Sequence, residues 1–266
     1  VFKHNLHEAY KQTDEEDLRA IESLISKKTS ISSCSNPVYA FSRTAKGARI
    51  KKPRHIFLLV GESYLQQFFD PAFQSLNLVS GGRYLKDDSH TAQLSSALSA
   101  GIISRPSIVG LMSGIFDAGL ELNEKESFWH NKLPTALPRQ LSKLGYHSTY
   151  WYGGNVTYGN FNQFAPGCGF DEVQTATEFC GPDAPKTWVG VYDNVFLENT
   201  AEMILHGDEE RGEYQFHFIY TTSYHGPFKI PLRKYGYDPE KIMPEAPNDV
   251  KENRALQKNL GTFWFA

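Results

Sequence analysis

His55-Ile56-Phe57-Leu58-Leu59-Val60-Gly61 is a continuous apolar run closed by a glycine. A strand with one wet face alternates apolar and polar residues, whereas an unbroken run of this length reads as a fully buried strand of a parallel sheet. Similar signals recur from Tyr146 to Tyr152 and from Tyr214 to Thr221. Between them lie helical patterns, Leu137 to Leu144 with Gly145 as a C-terminal stop and Val195 to Leu205. Strands that alternate with helices predict an α/β fold, a mainly parallel sheet flanked by helices.

In such sheets ligands gather beyond the carboxyl ends of the strands. Glu62 follows the first strand and His225 follows the third, so both are expected at that edge. Glu62 has no basic neighbour in Val60-Gly61-Glu62-Ser63. It can serve as an oxygen ligand to a hard divalent cation, or cap a following helix, where acids are favoured. His225 lies in Thr222-Ser223-Tyr224-His225-Gly226-Pro227, where Gly-Pro implies a fixed turn that aims the imidazole. Such a ring can donate to a phosphate oxygen or protonate a leaving alcohol.

The run Ile103-Ser104-Arg105-Pro106-Ser107-Ile108-Val109-Gly110-Leu111-Met112-Ser113-Gly114 starts a helix after the loop Ser99-Ala100-Gly101. Its first residues offer unpaired N–H groups and the positive end of the helix dipole, a place for an anion. Ser104 there reads as a nucleophile toward phosphate or sulfate, or as a plain helix cap. Arg105 beside it can hold an anion as a fork of donors, or face solvent.

Composition narrows the partners. The 266 residues suffice for one substantial domain, and a net charge of −3 leaves no basic footprint for nucleic acid. Aromatic residues reach 14%, which suits core packing and also a carbohydrate or lipid-headgroup cleft. Three cysteines, Cys34, Cys168 and Cys180, form no metal-type cluster; a Cys168 to Cys180 disulfide and unpaired thiols both fit. No apolar run approaches the roughly 20 residues of a membrane helix, and Val1-Phe2-Lys3-His4 does not read as a signal peptide, so the chain as given is expected to be soluble. Thr13-Asp14-Glu15-Glu16 resembles a capping box, and Leu18, Ile21, Leu24 and Ile25 continue it at helical spacing. One amphipathic helix is expected from about Asp14 to Ser26, then loop to Arg54. This divides the chain into a connecting arm, 1–50, and a catalytic domain, 51–266.

Together these segments resemble the lipoteichoic acid synthase and phosphoglycerol transferase branch of the alkaline phosphatase and sulfatase superfamily, over roughly Arg54 to Phe228. Val60-Gly61-Glu62-Ser63 is similar to the branch's first metal-ligand segment, and Ser104 stands where the branch has its threonine nucleophile, with the small pair Ser113-Gly114 nine and ten residues on. By that spacing Ser104, not Ser107, is the nucleophile. Leu137-Pro138-Arg139-Gln140-Leu141-Ser142-Lys143-Leu144-Gly145-Tyr146 resembles the helix that leads to the next strand. Tyr152-Gly153-Gly154-Asn155 through Asn160, then Gly169-Phe170-Asp171, is similar to the substrate loop. Gly190-Val191-Tyr192-Asp193 and the segment from Thr222 to Phe228 match two further signatures, the second with the substrate-contacting histidine, His225.

The resemblance implies a metal-dependent, two-step transfer. Ser104 takes a phosphoglycerol group from a phospholipid donor, and an envelope glycan or glycerol-type acceptor removes it. Glu62 and Ser104 are then metal ligands to Mn, Mg or Zn, and Arg105, Asn155, Asn160 and His225 contact substrate. Enzymes of this branch are tethered by N-terminal membrane helices, with the catalytic domain outside the cytoplasmic membrane; residues 1–50 are expected to lead to such an anchor. The branch's Trp and Arg in the substrate loop are replaced by Tyr158-Gly159-Asn160-Phe161-Asn162, and no Asp-His metal pair occurs before Ala266. A truncated fragment of the full domain, nearly inactive by itself, is therefore expected. A sulfatase, a phosphoethanolamine transferase and a non-catalytic domain that binds envelope glycan or lipid headgroups are the alternatives. Ile108 replaces the Arg of the sulfatase signature, and a single Glu replaces its paired Asp, which favours phosphoryl transfer.

Overall fold

The computed structural model describes residues 47–265, apart from 95–96, 118, 131–132, 208–211 and 228, together with residues 16, 19 and 23. The chain divides into two units, Val1–Lys52 and Pro53–Ala266. Glu16, Arg19 and Ser23 are helical and exposed. The remainder of the helix expected from Asp14 to Ser26, and Cys34, lie outside the described residues.

The second unit is built on four strands, β1 (His55–Val60), β2 (His147–Tyr152), β3 (Glu172–Thr175) and β4 (Gln215–Tyr220), in the order β1-β4-β2-β3. Every pairing is parallel. The helices that matter to the site are α1 (Ser104–Ser113), α2 (Leu137–Ser142), α3 (Phe161–Cys168), α4 (Asp193–His206) and α5 (Arg254–Phe265). Successive strand residues face opposite sides, and the sheet uses both. On one side Tyr150 and Tyr152 of β2 and Phe216, Phe218 and Tyr220 of β4 pack with Ile108 and Met112 of α1 and Phe161 and Phe164 of α3. On the other, Trp151 and Ile219 meet Phe196 and Ile204 of α4. A third cluster joins Leu260 and Phe263 of α5 to Phe68, Leu78 and Tyr224.

The first strand departs from its expectation. Ile56, Leu58 and Val60 pack on the main core, but Phe57 and Leu59, which alternate onto the other face, are 56% and 55% exposed. β1 is terminal in the strand order, so half of its apolar run has no covering layer among the described residues. β3 carries no sequence signal of its own, because Glu172-Val173-Gln174-Thr175 holds one apolar residue and pairs on one side only. Gly145 closes α2 as expected. At φ 78° it donates its N–H to the Ser142 carbonyl at 2.9 Å while Tyr146 N–H donates to Leu141 at 3.2 Å, the pairing of a Schellman stop. Cys168 and Cys180 are both free thiols; burial pushes Cys168 up to about 12, so it packs as a small apolar residue.

What positions the site is the level ending of three strands. The register pairs Val60 with Tyr220 and Tyr152 with Tyr220, so Glu62, Asn155 and His225 all leave the sheet at one edge. The chain after β4 is held by α4. Asp193 Oδ1 accepts from the backbone N–H of Thr222 at 2.9 Å and of Ser223 at 3.0 Å, and Ser223 Oγ accepts from Asp193 N–H at 2.7 Å. The chain after β2 is held by the turn at 187–190: Val191 N–H donates to the Gly153 carbonyl at 2.9 Å, and Gly190 pairs with Gly154. A Cβ on Gly190 would collide with the Gly153 carbonyl and the Thr222 hydroxyl. Gly190→Ala is therefore expected to destabilise the chain by about 1–3 kcal/mol through overpacking, read as a lower midpoint in urea unfolding with an unchanged slope.

Candidate active site

Glu62, Ser104, Arg105, Asn155 and His225 line one cavity of about 300 Å³, with Tyr152, Tyr158, Trp188, Tyr220 and Thr222 among its other walls. Asn160 is not in that lining. Its amide donates to Glu124 Oε2 at 2.6 Å.

Ser104 is the first residue of α1, and the N-cap is Ile103, which offers no side-chain bond to the helix. Ser104 is thus not the cap, and the helix start is left open to an anion. Its hydroxyl donates to Glu62 Oε1 at 2.8 Å. Ser107, by contrast, spends its hydroxyl on the carbonyls of Ile103 at 2.8 Å and Gly101 at 3.0 Å.

Glu62 is 6% exposed and caps no helix; the next helical turn starts at Gln66. A buried carboxylate must be paired or fully hydrogen-bonded, and three hydroxyls meet it. Ser63 and Ser104 donate to Oε1 at 3.0 and 2.8 Å, and Tyr220 donates to Oε2 at 2.5 Å. Burial, then the neighbouring carboxylate, pushes the Tyr220 phenol far above its usual range, and the same causes bring Tyr152 up to about 12. Both phenols stay protonated at every physiological pH. Tyr220 also stacks on Tyr152 at 5.2 Å and 6° between planes.

The Arg105 side chain is 34% exposed and engaged by its neighbours. It donates to Glu124 Oε1 at 3.3 Å and to Tyr158 OH at 3.1 Å, and lies 5.0 Å from the Tyr158 ring centre. Its Nε is buried with no hydrogen-bond partner among the described residues. His225 Nδ1 stands 2.8 Å from the Gly226 carbonyl, which can only accept, so Nδ1 carries the proton and Nε2 is the free nitrogen.

A divalent cation fits this edge in kind: Glu62 and Ser104 would offer it oxygen ligands, and the 2.8 Å between Oε1 and Oγ is that of the hydrogen bond joining them. The number of ligands is smaller than a closed site needs: no group of three His, Cys, Asp or Glu gathers as a metal site among the described residues. Sequence reasoning missed Tyr220, Tyr152, Glu124 and Trp188. Tyr220 meets Glu62 only because β4 lies beside β1, a pairing between residues 158 apart in the chain.

The fold agrees with the comparisons. A family model described as Sulfatase matches residues 83–259, two thirds of the chain, and the chain belongs to that family. Among solved structures, it is similar to the lipoteichoic acid synthase LtaP from Listeria monocytogenes, with TM-score 0.59 and 19% identity over 81% of this chain and 50% of that one. A protein in the alkaline phosphatase superfamily from Vibrio parahaemolyticus gives TM-score 0.67 and 18% identity over 96% of this chain and 59% of that one. The C-terminal periplasmic domain of EcEptC from Escherichia coli, solved in complex with Zn, gives 0.51 and 12% over 80% and 57%. The chain therefore spans 50–59% of the length of these structures. At these identities the likeness concerns the fold: a parallel sheet flanked by helices, of the alkaline phosphatase type.

Two outcomes check this geometry. Tyr220→Phe removes one of three donors to a buried carboxylate and is expected to cost about 1.5–3 kcal/mol of stability in denaturant unfolding. Asp193 carries a second. Burial raises its carboxyl above the usual range, so its folded form holds a proton that the unfolded chain has already lost. Stability then falls as pH rises from the unfolded value toward the folded one. Asp193→Asn, which keeps the Oδ1 acceptor, is expected to flatten that slope in unfolding measured between acid and neutral pH.

Proposed function

We propose that this chain carries the nucleophile side of a metal-dependent phosphoryl-headgroup transferase of the cell envelope, acting on phosphoglycerol through a covalent phospho-Ser104. The observation that carries the reading is the 2.8 Å contact of Ser104 Oγ with Glu62 Oε1 at the open start of α1, in one cavity with His225. A bound Mn, Mg or Zn would supply charge to stabilise the serine alkoxide and the phosphoryl oxygens.

The chain's own groups account for the rest. Ser104 Oγ attacks phosphorus, and its proton passes along the existing hydrogen bond to Glu62 Oε1. The phosphorus–oxygen bond to the lipid alcohol breaks as Oγ bonds, and the leaving oxygen takes the Nε2 proton of His225, which enters this step as the imidazolium. Arg105 Nε and the helix start hold the phosphoryl oxygens. In the second step the acceptor hydroxyl gives its proton to His225 Nε2 and attacks phosphorus, and Ser104 Oγ leaves and regains its proton. The donor is a phospholipid and the acceptor an envelope glycan or glycerol-type alcohol, outside the cytoplasmic membrane. No helix among the described residues is long and apolar enough to cross a membrane. With two protein ligands, the cation is held weakly, and turnover by these 266 residues alone is expected to be slow.

The test is to incubate the chain with manganese and phosphatidylglycerol, then map adducts by mass spectrometry. A phosphoglycerol group on Ser104 is expected, absent in Ser104→Ala and formed about 10²–10⁴-fold more slowly in Glu62→Gln. An adduct from phosphatidylethanolamine in its place selects the phosphoethanolamine reaction, and release of sulfate from an aryl sulfate selects the sulfatase. No adduct from any donor rejects the transferase reading.

A further inference from the structure

We infer that Trp188 is the floor of a carbohydrate subsite at the mouth of the Ser104 cavity, stacking under a pyranose ring; as the acceptor's subsite it rests on the transfer reading above. Trp188 lines the cavity and yet is 64% exposed. An indole left this open recovers free energy only when something flat and apolar covers it.

The ring is held, not loose. It sits at the tip of a turn in which Thr187 N–H donates to the Gly190 carbonyl at 2.8 Å and Thr187 Oγ1 accepts from Val189 N–H at 3.1 Å. That turn is paired through Gly190 to Gly154 and through Lys186 to Val191. The indole Nε1–H donates to the Gly226 carbonyl at 3.1 Å, and the ring meets His225 edge-on at 5.2 Å and 85°. With its one donor used, Trp188 can offer a ligand only its face.

The surroundings choose among ligands with an apolar face. Asn155 Oδ1 accepts from Thr157 N–H at 2.9 Å and from Thr157 Oγ1 at 2.8 Å, which leaves its Nδ2 to donate outward. His225 leaves Nε2 in the same lining, while the Thr222 hydroxyl is given to the Val191 carbonyl at 3.5 Å. A ring with an apolar face and hydroxyls on its rim satisfies both kinds of surface, whereas an acyl chain would desolvate the polar groups without pairing them. An ammonium group would compete for Glu62, the one carboxylate among the described lining residues, which the transfer reading gives to the metal cation. Glu62 accepts three hydroxyl bonds, Glu124 is taken by Arg105, Asn123 and Asn160, and Arg105 shares the lining.

The experiment titrates the full chain with maltose, following tryptophan emission, and repeats the titration by ligand-observed NMR on Trp188→Phe, Trp188→Ala and Trp188→Leu. Saturable quenching in the parent chain is expected, with Trp188→Phe within about threefold of its affinity and the Ala and Leu variants about tenfold weaker, the scale of one aromatic contact. Thermal unfolding identifies any variant that fails to fold, and the Leu variant then stands in for the Ala one. Equal affinity in the parent and the Ala or Leu variant overturns the subsite, as does Trp188-dependent binding of phosphocholine with none of maltose. The two readings fail separately. Labelled Ser104 with maltose indifferent to Trp188 removes the subsite alone, and Trp188-dependent maltose binding with Ser104 never labelled removes the transfer reading and leaves a glycan-binding site.

Discussion

A carboxylate taken out of water must have its lone pairs satisfied, and at Glu62 that requirement joins three separate parts of the chain. Ser63 lies beside it, Ser104 begins α1, and Tyr220 ends β4. Each is an uncharged hydroxyl, and none of these contacts brings a cationic side chain to the carboxyl group. The arrangement sets a buried carboxyl group directly beside the Ser104 hydroxyl. That suits a place where a cation or a proton is to be exchanged, more than a place built for stability alone.

The rest of the edge divides into groups already committed and groups left available. Glu124 gathers Arg105, Asn123 and Asn160 into one network, which fixes the Arg105 guanidinium against Tyr158. Asp193 fixes the loop after β4 through backbone N–H groups, so His225 is placed by main-chain bonds from another element. Against these stand Arg105 Nε, Asn155 Nδ2 and His225 Nε2, for which no hydrogen-bond partner stands among the described residues. All three belong to residues that line the cavity. Catalytic geometry depends on such division, since a group held rigidly by its neighbours loses little freedom when a ligand arrives.

Membership of the sulfatase family accounts for the sheet and for the position of this edge, but family alone does not select a reaction. Here the selecting features are particular to the chain. A serine hydroxyl with a single carboxylate beside it differs from the paired acids and supporting arginine of the sulfatase signature, and the aromatic walls Tyr152, Tyr158, Trp188 and Tyr220 shape the space around it.

The sequence by itself determined the elements and their polarity. Local patterns located β1, β2, β4, α2 and α4 within a residue or two, because apolar runs and the glycine stop at Gly145 are properties of neighbours along the chain. It also singled out Glu62, Ser104 and His225, since a strand end and a helix start are positions that local pattern can locate. What it did not contain was adjacency. That β4 lies between β1 and β2 brings Tyr220 to Glu62, and places β1 at the rim with Phe57 and Leu59 uncovered; both follow from strand order, which local periodicity does not encode. Asn160 reads as a substrate contact in the loop, and its amide is engaged by Glu124, a bond across 36 residues that local pattern does not show. Trp188 looks in sequence like any aromatic residue, and only the turn packed on Gly153 and Gly154 turns it into an exposed face. Pairwise contacts across more than a hundred residues are decided by which surfaces bury one another, and that is settled in three dimensions.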